Sequence, residues 1–166
     1  MKHPNKDFVA EAIADYEAMK QEEQGQLLVQ IMEDQPFLMG FITNLADDFS
    51  DSEHAVLVDS TVILINAFVS AGIPISMIPH QMLEEVINER VDSYEAHADE
   101  LQDDIARAVT DSPMVFEDLR NRALFKSNLK EEDLAARQKF SLILDTIIAI
   151  VERSISVEIE EKGKNQ

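Results

Sequence analysis

The chain has 166 residues, 45% of them hydrophobic, with four glycines, five prolines, no cysteine and a formal net charge of -19. That length and apolar content suit one domain burying roughly 70% of its unfolded surface and exclude wholesale disorder, while the missing cysteine excludes disulfides, thiolate metal sites and cysteine nucleophiles. The acidic excess opposes DNA, RNA and anionic membrane surfaces, which attract proteins through lysine and arginine.

The N-terminal run Met1-Lys2-His3-Pro4-Asn5-Lys6-Asp7 has no apolar stretch of the kind a signal peptide needs, and a cytoplasmic location is the expectation. A first helix is predicted from about residue 5, with Phe8, Val9 and Ile13 among its apolar positions. The polar run from Lys20 to Gln26 predicts a break or kink near Gly25. Gln35-Pro36 opens a second helix carrying Phe37, Phe41, Leu45 and Phe49 at helical spacing. Ser50-Asp51-Ser52-Glu53 has the form of a capping box, in which Ser50 and Glu53 would satisfy each other's backbone amides. The helix that it opens is expected to run to Ala71, with Gly72 as its stop before Pro74.

Ser60 to Leu83 contains no Asp, Glu, Lys or Arg, so it has to be tested as a membrane span. Asn66, Gly72, Pro74, Pro79 and His80 interrupt it, and it reads as a buried helix, a turn and the start of the next helix. Ile87, Val91, Tyr94, Ala98, Leu101, Ile105 and Ala108 then lay one apolar stripe along a long helix. Asp111-Ser112-Pro113 ends it and starts a short helix, with Ser112 as N-cap. Asn128-Leu129-Lys130-Glu131 resembles a second capping box and opens a last helix to about Glu161, leaving residues 162–166 as a disordered tail.

Several of these segments recur in order and at a near-constant offset. Asp15-Tyr16-Glu17-Ala18 returns as Ser93-Tyr94-Glu95-Ala96, Asp34-Gln35-Pro36 as Asp111-Ser112-Pro113, and Ile63-Leu64 as Ile143-Leu144. The expected fold is therefore all-α, one domain over residues 1–166, a six-helix bundle made of two pseudo-twofold-related three-helix repeats. Repeat 1 spans about residues 5–72 and repeat 2 about residues 79–161. The helices after the two capping boxes are apolar on most sides and should occupy the centre.

No Gly-rich phosphate loop, nucleophile elbow, His-Glu-x-x-His or Glu-x-x-His motif occurs, so no catalytic residue and no cofactor is assigned. The densest candidate for a hard cation is Asp47, Asp48, Asp51, Glu53 and His54, carboxylates gathered at a turn. Capping already accounts for Asp51 and Glu53. His97 beside Glu100 reads as a surface contact, and Asp145 as facing water or a polar neighbour. The methionines, Met32, Met39 and Met77 among them, read as core filling, with a Met-lined peptide groove as the sharper alternative.

From Gln21 to Glu89 there is no Lys or Arg against twelve Asp and Glu. The expected role is a non-enzymatic interaction or regulatory protein whose acidic surface meets a basic protein or a second copy of itself. A homodimer would follow if Phe37 and Phe41, or Met114 and Phe116, stay exposed. The alternative is a small-molecule- or divalent-cation-binding bundle, with a pocket between the repeats lined by Asn66 and Tyr16 or Tyr94.

Overall fold

The computed structural model describes residues 7–96 and 116–164, with side chains described to residue 95 and from 116 to 155. Among them the regular elements are helices: α1 Phe8–Ala18, α2 Gln21–Asp34, α3 Pro36–Asn44, α4 Asp51–Ser70, α5 His80–Ala96, α6 Glu117–Lys126 and α7 Leu134–Lys164, with one turn of 3-10 helix at Ala46–Asp48. No strand occurs in the described residues.

Local chemistry sets most of the boundaries. At the start of α4 the Glu53 amide donates to Ser50 Oγ at 3.2 Å, while the Ser50 amide donates to the Glu53 carboxylate at 3.3 Å. At its end Gly72 takes φ +87, a left-handed conformation that costs a side-chain-bearing residue energy. Pro36 occupies the first turn of α3, where its missing amide proton is not needed.

Four boundaries differ from expectation. The chain breaks at Met19 and Lys20, both extended, and Gly25 lies inside α2. A glycine costs a helix interior only about 1 kcal/mol, too little to break it. The polar run instead supplies Gln24, whose Nε2 donates to the Tyr16 carbonyl at 2.8 Å and satisfies the last turn of α1. Helix α3 stops at Asn44, short of Phe49, which turns inward to meet Phe140 edge-on at 6.4 Å. Helix α7 begins at Leu134, so the Asn128–Glu131 box does not cap it. Asp133 Oδ1 accepts from the Ala136 amide at 3.1 Å, and Asn128 adopts φ 59, a turn conformation that asparagine tolerates. At its far end α7 reaches Lys164, past the expected stop near Glu161.

Helix α4 packs against α1, α2, α3, α6 and α7, and α5 lies on α7 and α3. Leu57, Ile63, Leu64 and Phe68 of α4 and Phe140, Ile147, Ile148, Ile150 and Val151 of α7 are buried, as the two apolar patterns require. Phe8, Phe68 and Phe116 form an aromatic knot with centroids 5.1, 6.2 and 6.5 Å apart. Each such side chain contributes roughly 2 kcal/mol on burial against about 1 for a cap, so the core holds the fold and the caps set its register. Phe116 is fully buried in that knot, so it does not meet the condition of exposure on which a dimer face there depended. Phe41, named with Phe37 in the other conditional face, is only partly exposed and packs against the core.

Among the described residues α4 is the one helix long and apolar enough to cross a membrane by length and composition; 56% of that stretch is buried against its neighbours. The expectations for Ala98, Leu101, Ile105, Ala108, Ser112, Pro113, Met114, His97 and His3 lie outside the described residues.

Candidate functional site

The acidic turn between α3 and α4 puts its side chains to local use. Asp47, Asp48 and Asp51 are exposed, Glu53 closes the cap, and a ring nitrogen of His54 lies 2.8 Å from the Ile42 carbonyl. Lys139 Nζ donates to the Asp48 carbonyl at 2.7 Å and sits 4.8 Å from the Phe49 ring. Among the described residues no group of three or more His, Asp or Glu converges as metal ligands would.

Two polar links tie the core helices together. Tyr16 OH donates to Asp59 Oδ1 at 3.0 Å, joining α1 to α4, and Arg122 lies over the Tyr16 ring while its Nε donates to Glu17 at 2.9 Å. Burial, then the neighbouring Asp59 carboxylate, pushes the Tyr16 hydroxyl up to about 12, so it stays a neutral donor at ordinary pH. Deeper in, Asp145 of α7 accepts from Arg120 Nε of α6 at 2.6 Å. Its second oxygen and Arg120 Nη2 are buried without a hydrogen-bond partner. Burial raises the Asp145 carboxyl above its ordinary value although Arg120 pulls the other way, and burial raises Glu152, one side of the same helix, in the same sense. Asp145 thus faces a polar neighbour, the second of the two expected options. Nothing in the sequence around Arg120 marks it as that neighbour.

A third polar link builds a surface. Gln35, between α2 and α3, is buried. Its Nε2 donates to the carbonyls of Ser76 (3.0 Å) and Ile75 (3.5 Å), and its Oε1 accepts from the Ile78 amide at 2.9 Å. These bonds clamp the irregular stretch between α4 and α5 onto the α2–α3 corner. Sequence reading passed over Gln35 except as part of a helix-starting Gln-Pro. The readable signal was a lone amide between Ile31 and Leu38, two inward-facing positions.

Around this clamp Met32, Phe37 and Met77 are 47%, 42% and 56% exposed. Phe37 meets His80 at 5.9 Å between ring centroids, and His80 lies 3.6 Å from the Glu84 carboxylate. Exposed Glu33 and Asp34 adjoin Met32 and Gln35 along the chain. Exposed apolar side chains and carboxylates therefore neighbour the clamp, within the stretch from Gln21 to Glu89 that has no Lys or Arg.

Of the residues expected to line a pocket between repeats, Tyr16 is engaged with Asp59 and Asn66 is half-buried. A hollow of about 60 Å³ beside α1 touches Phe8, Glu11, Asp15 and Ser70. A wider surface hollow of about 500 Å³ lies at the end of α6, against Asn121, Phe125, Asn128, Leu129, Glu131 and Arg137. No family model, curated protein or solved structure matches the chain.

Proposed function

We propose that the chain is a non-enzymatic, cytoplasmic interaction or regulatory protein whose acidic half receives a basic protein partner. The carrying observation is the charge asymmetry: residues 21–89 hold twelve carboxylates and no Lys or Arg, and they form α2, α3, α4 and the first turns of α5. Most of those carboxylates are exposed. A surface with an excess of negative charge steers an oppositely charged protein toward it and repels nucleic acid. Capture from native extract at about 50 and 500 mM salt tests this, since the screening length falls severalfold over that range. The expected outcome is a basic partner released by salt, and lost when Glu33, Asp34 and Glu84 are changed to Lys. A partner equally retained at both salts and by both proteins removes the reading.

The two halves are further inferred to be copies of one three-helix unit, giving a six-helix pseudo-twofold plan with a broken first helix in copy 1. The recurring Tyr-Glu-Ala and Asp-x-Pro segments support this. An experimental structure in which residues 5–72 fail to superpose on residues 79–161 would end it.

A second reading, a bundle that binds a small polar ligand, draws on the hollow at the end of α6, which offers two amides, one carboxylate and one guanidinium beside Phe125. Native mass spectrometry of the purified protein separates the two, because a bound small molecule supports only this one.

A further inference from the structure

We infer that the corner clamped by Gln35 docks a basic amphipathic helix, whose apolar anchors meet Phe37 and Met77 and whose lysines or arginines meet Glu33, Asp34 and Glu84. This rests on the reading of the acidic half as a recognition surface, and narrows it to one place and one partner chemistry.

The corner is built in advance of any partner. Ser76 and Ile78 are both held by Gln35, and Met77 stands between them. Ile78 is fully buried, while Met77 beside it is 56% exposed. Phe37 follows Gln35 by two residues and is braced by the His80 ring. Met32 precedes Gln35 by about one helical turn and adds a third exposed apolar side chain. Methionine adapts its shape to varied apolar anchors.

The charges select among apolar partners. Glu33, Asp34 and Glu84 frame the corner, and His80 alone on the flanking turns can carry positive charge. An acidic or neutral helix would bring these carboxylates no lysine or arginine, whereas a basic one with anchors at i, i+3 or i+4 satisfies both features together. A second copy of this chain, at net charge -19, would bring like charge to like. The exposed Phe125 and Leu134 offer an internal contrast, because Lys126, Lys130 and Arg137 lie among Glu131, Glu132 and Asp133 there and offset their charge, whereas no Lys or Arg lies between Gln21 and Glu89.

The test uses a fluorescent amphipathic peptide of leucine and lysine, about 18 residues or five helical turns long, and its leucine–glutamate counterpart, titrated into the full chain by anisotropy. The lysine peptide is expected to bind and the glutamate peptide not. Affinity should fall about tenfold or more in Phe37→Ser/Met77→Ser, as for anchor residues elsewhere, and likewise in Glu33→Gln/Asp34→Gln/Glu84→Gln. It should hold in Phe125→Ser/Leu134→Ser, all variants being checked for wild-type helicity. If only the carboxylate variant weakens binding, the acidic half still recognises basic chains but this corner is not the dock. If neither variant nor salt changes binding, the recognition reading falls with it. Equal binding of the glutamate peptide, or a wild-type dimer in sedimentation that Phe37→Ser/Met77→Ser dissolves, also overturns the proposal.

Discussion

Gln35 and Asp145 are each 1% exposed and each joins distant parts of the chain, yet their hydrogen bonding is unequal. The Gln35 amide meets two carbonyls and one amide of the irregular segment that lies over it, so donors and acceptor are used together. Asp145 has one short bond to Arg120, and each partner keeps a buried polar atom with no bond. A neutral amide can be matched by backbone groups that need partners anyway. A carboxylate and a guanidinium carry more hydrogen-bonding sites than two side chains can satisfy between them. The shorter contact is therefore the less complete one, and desolvation offsets much of its attraction.

The strongest way to break this comparison is to remove one charge. Asp145→Leu leaves Arg120 facing an apolar core, and stability should fall by about 3 kcal/mol, the low end for a broken buried pair because Arg120 is partly exposed. Arg120→Leu/Asp145→Leu should recover most of that loss in the same urea melts. A double variant as unstable as the single one would show that the pair stabilises the fold on balance, and the contrast with Gln35 would disappear.

Removing the amide should cost less. In Gln35→Leu the Ile78 amide loses its acceptor while the Ser76 and Ile75 carbonyls lose a donor, a loss of about 2 kcal/mol once the carbonyls have turned toward water. Hydrogen exchange should quicken at Ile78 and leave the α7 core protected. A loss exceeding that of Asp145→Leu would reverse the ranking.

How much of this was legible follows from the range of each signal. Helical class, the Ser50–Glu53 cap, the Gly72 stop and the burial of α4 and α7 depend on residues within a few turns of one another, and they are readable as spacing. The break at Met19–Lys20 was misplaced because Gly25 was weighed by type, whereas the capping bond from Gln24 to Tyr16 decided the position. The Arg120–Asp145 and Gln35–Ile78 links join residues far apart in the chain. No periodicity encodes them, although Asp145, the lone charge between Phe140 and Val151, marks one end of its link. The acidic half was plain from counting; its gathering with Met32, Phe37 and Met77 at one corner required the clamp to be seen.

The smallest expected effect concerns Glu152, which shares the helix and the arginines of Asp145. Burial raises its carboxyl above the ordinary value against the pull of Arg120 and Arg90. From the ordinary carboxylate range up to that raised value, the folded protein holds a proton that the unfolded chain has released. Stability therefore falls as pH rises through the window and levels off above it. In Glu152→Gln this share of the fall is absent, while the share from Asp145, raised in the same sense, remains. The variant should gain on the wild type between about pH 4 and pH 7 by a fraction of a kcal/mol, read as the difference between paired urea midpoints at each pH. A difference that stays constant or shrinks across that range would mean that the charged form of Glu152 is as well accommodated as the neutral one. Incomplete pairing would then be confined to Asp145 and Arg120 and would not extend along α7.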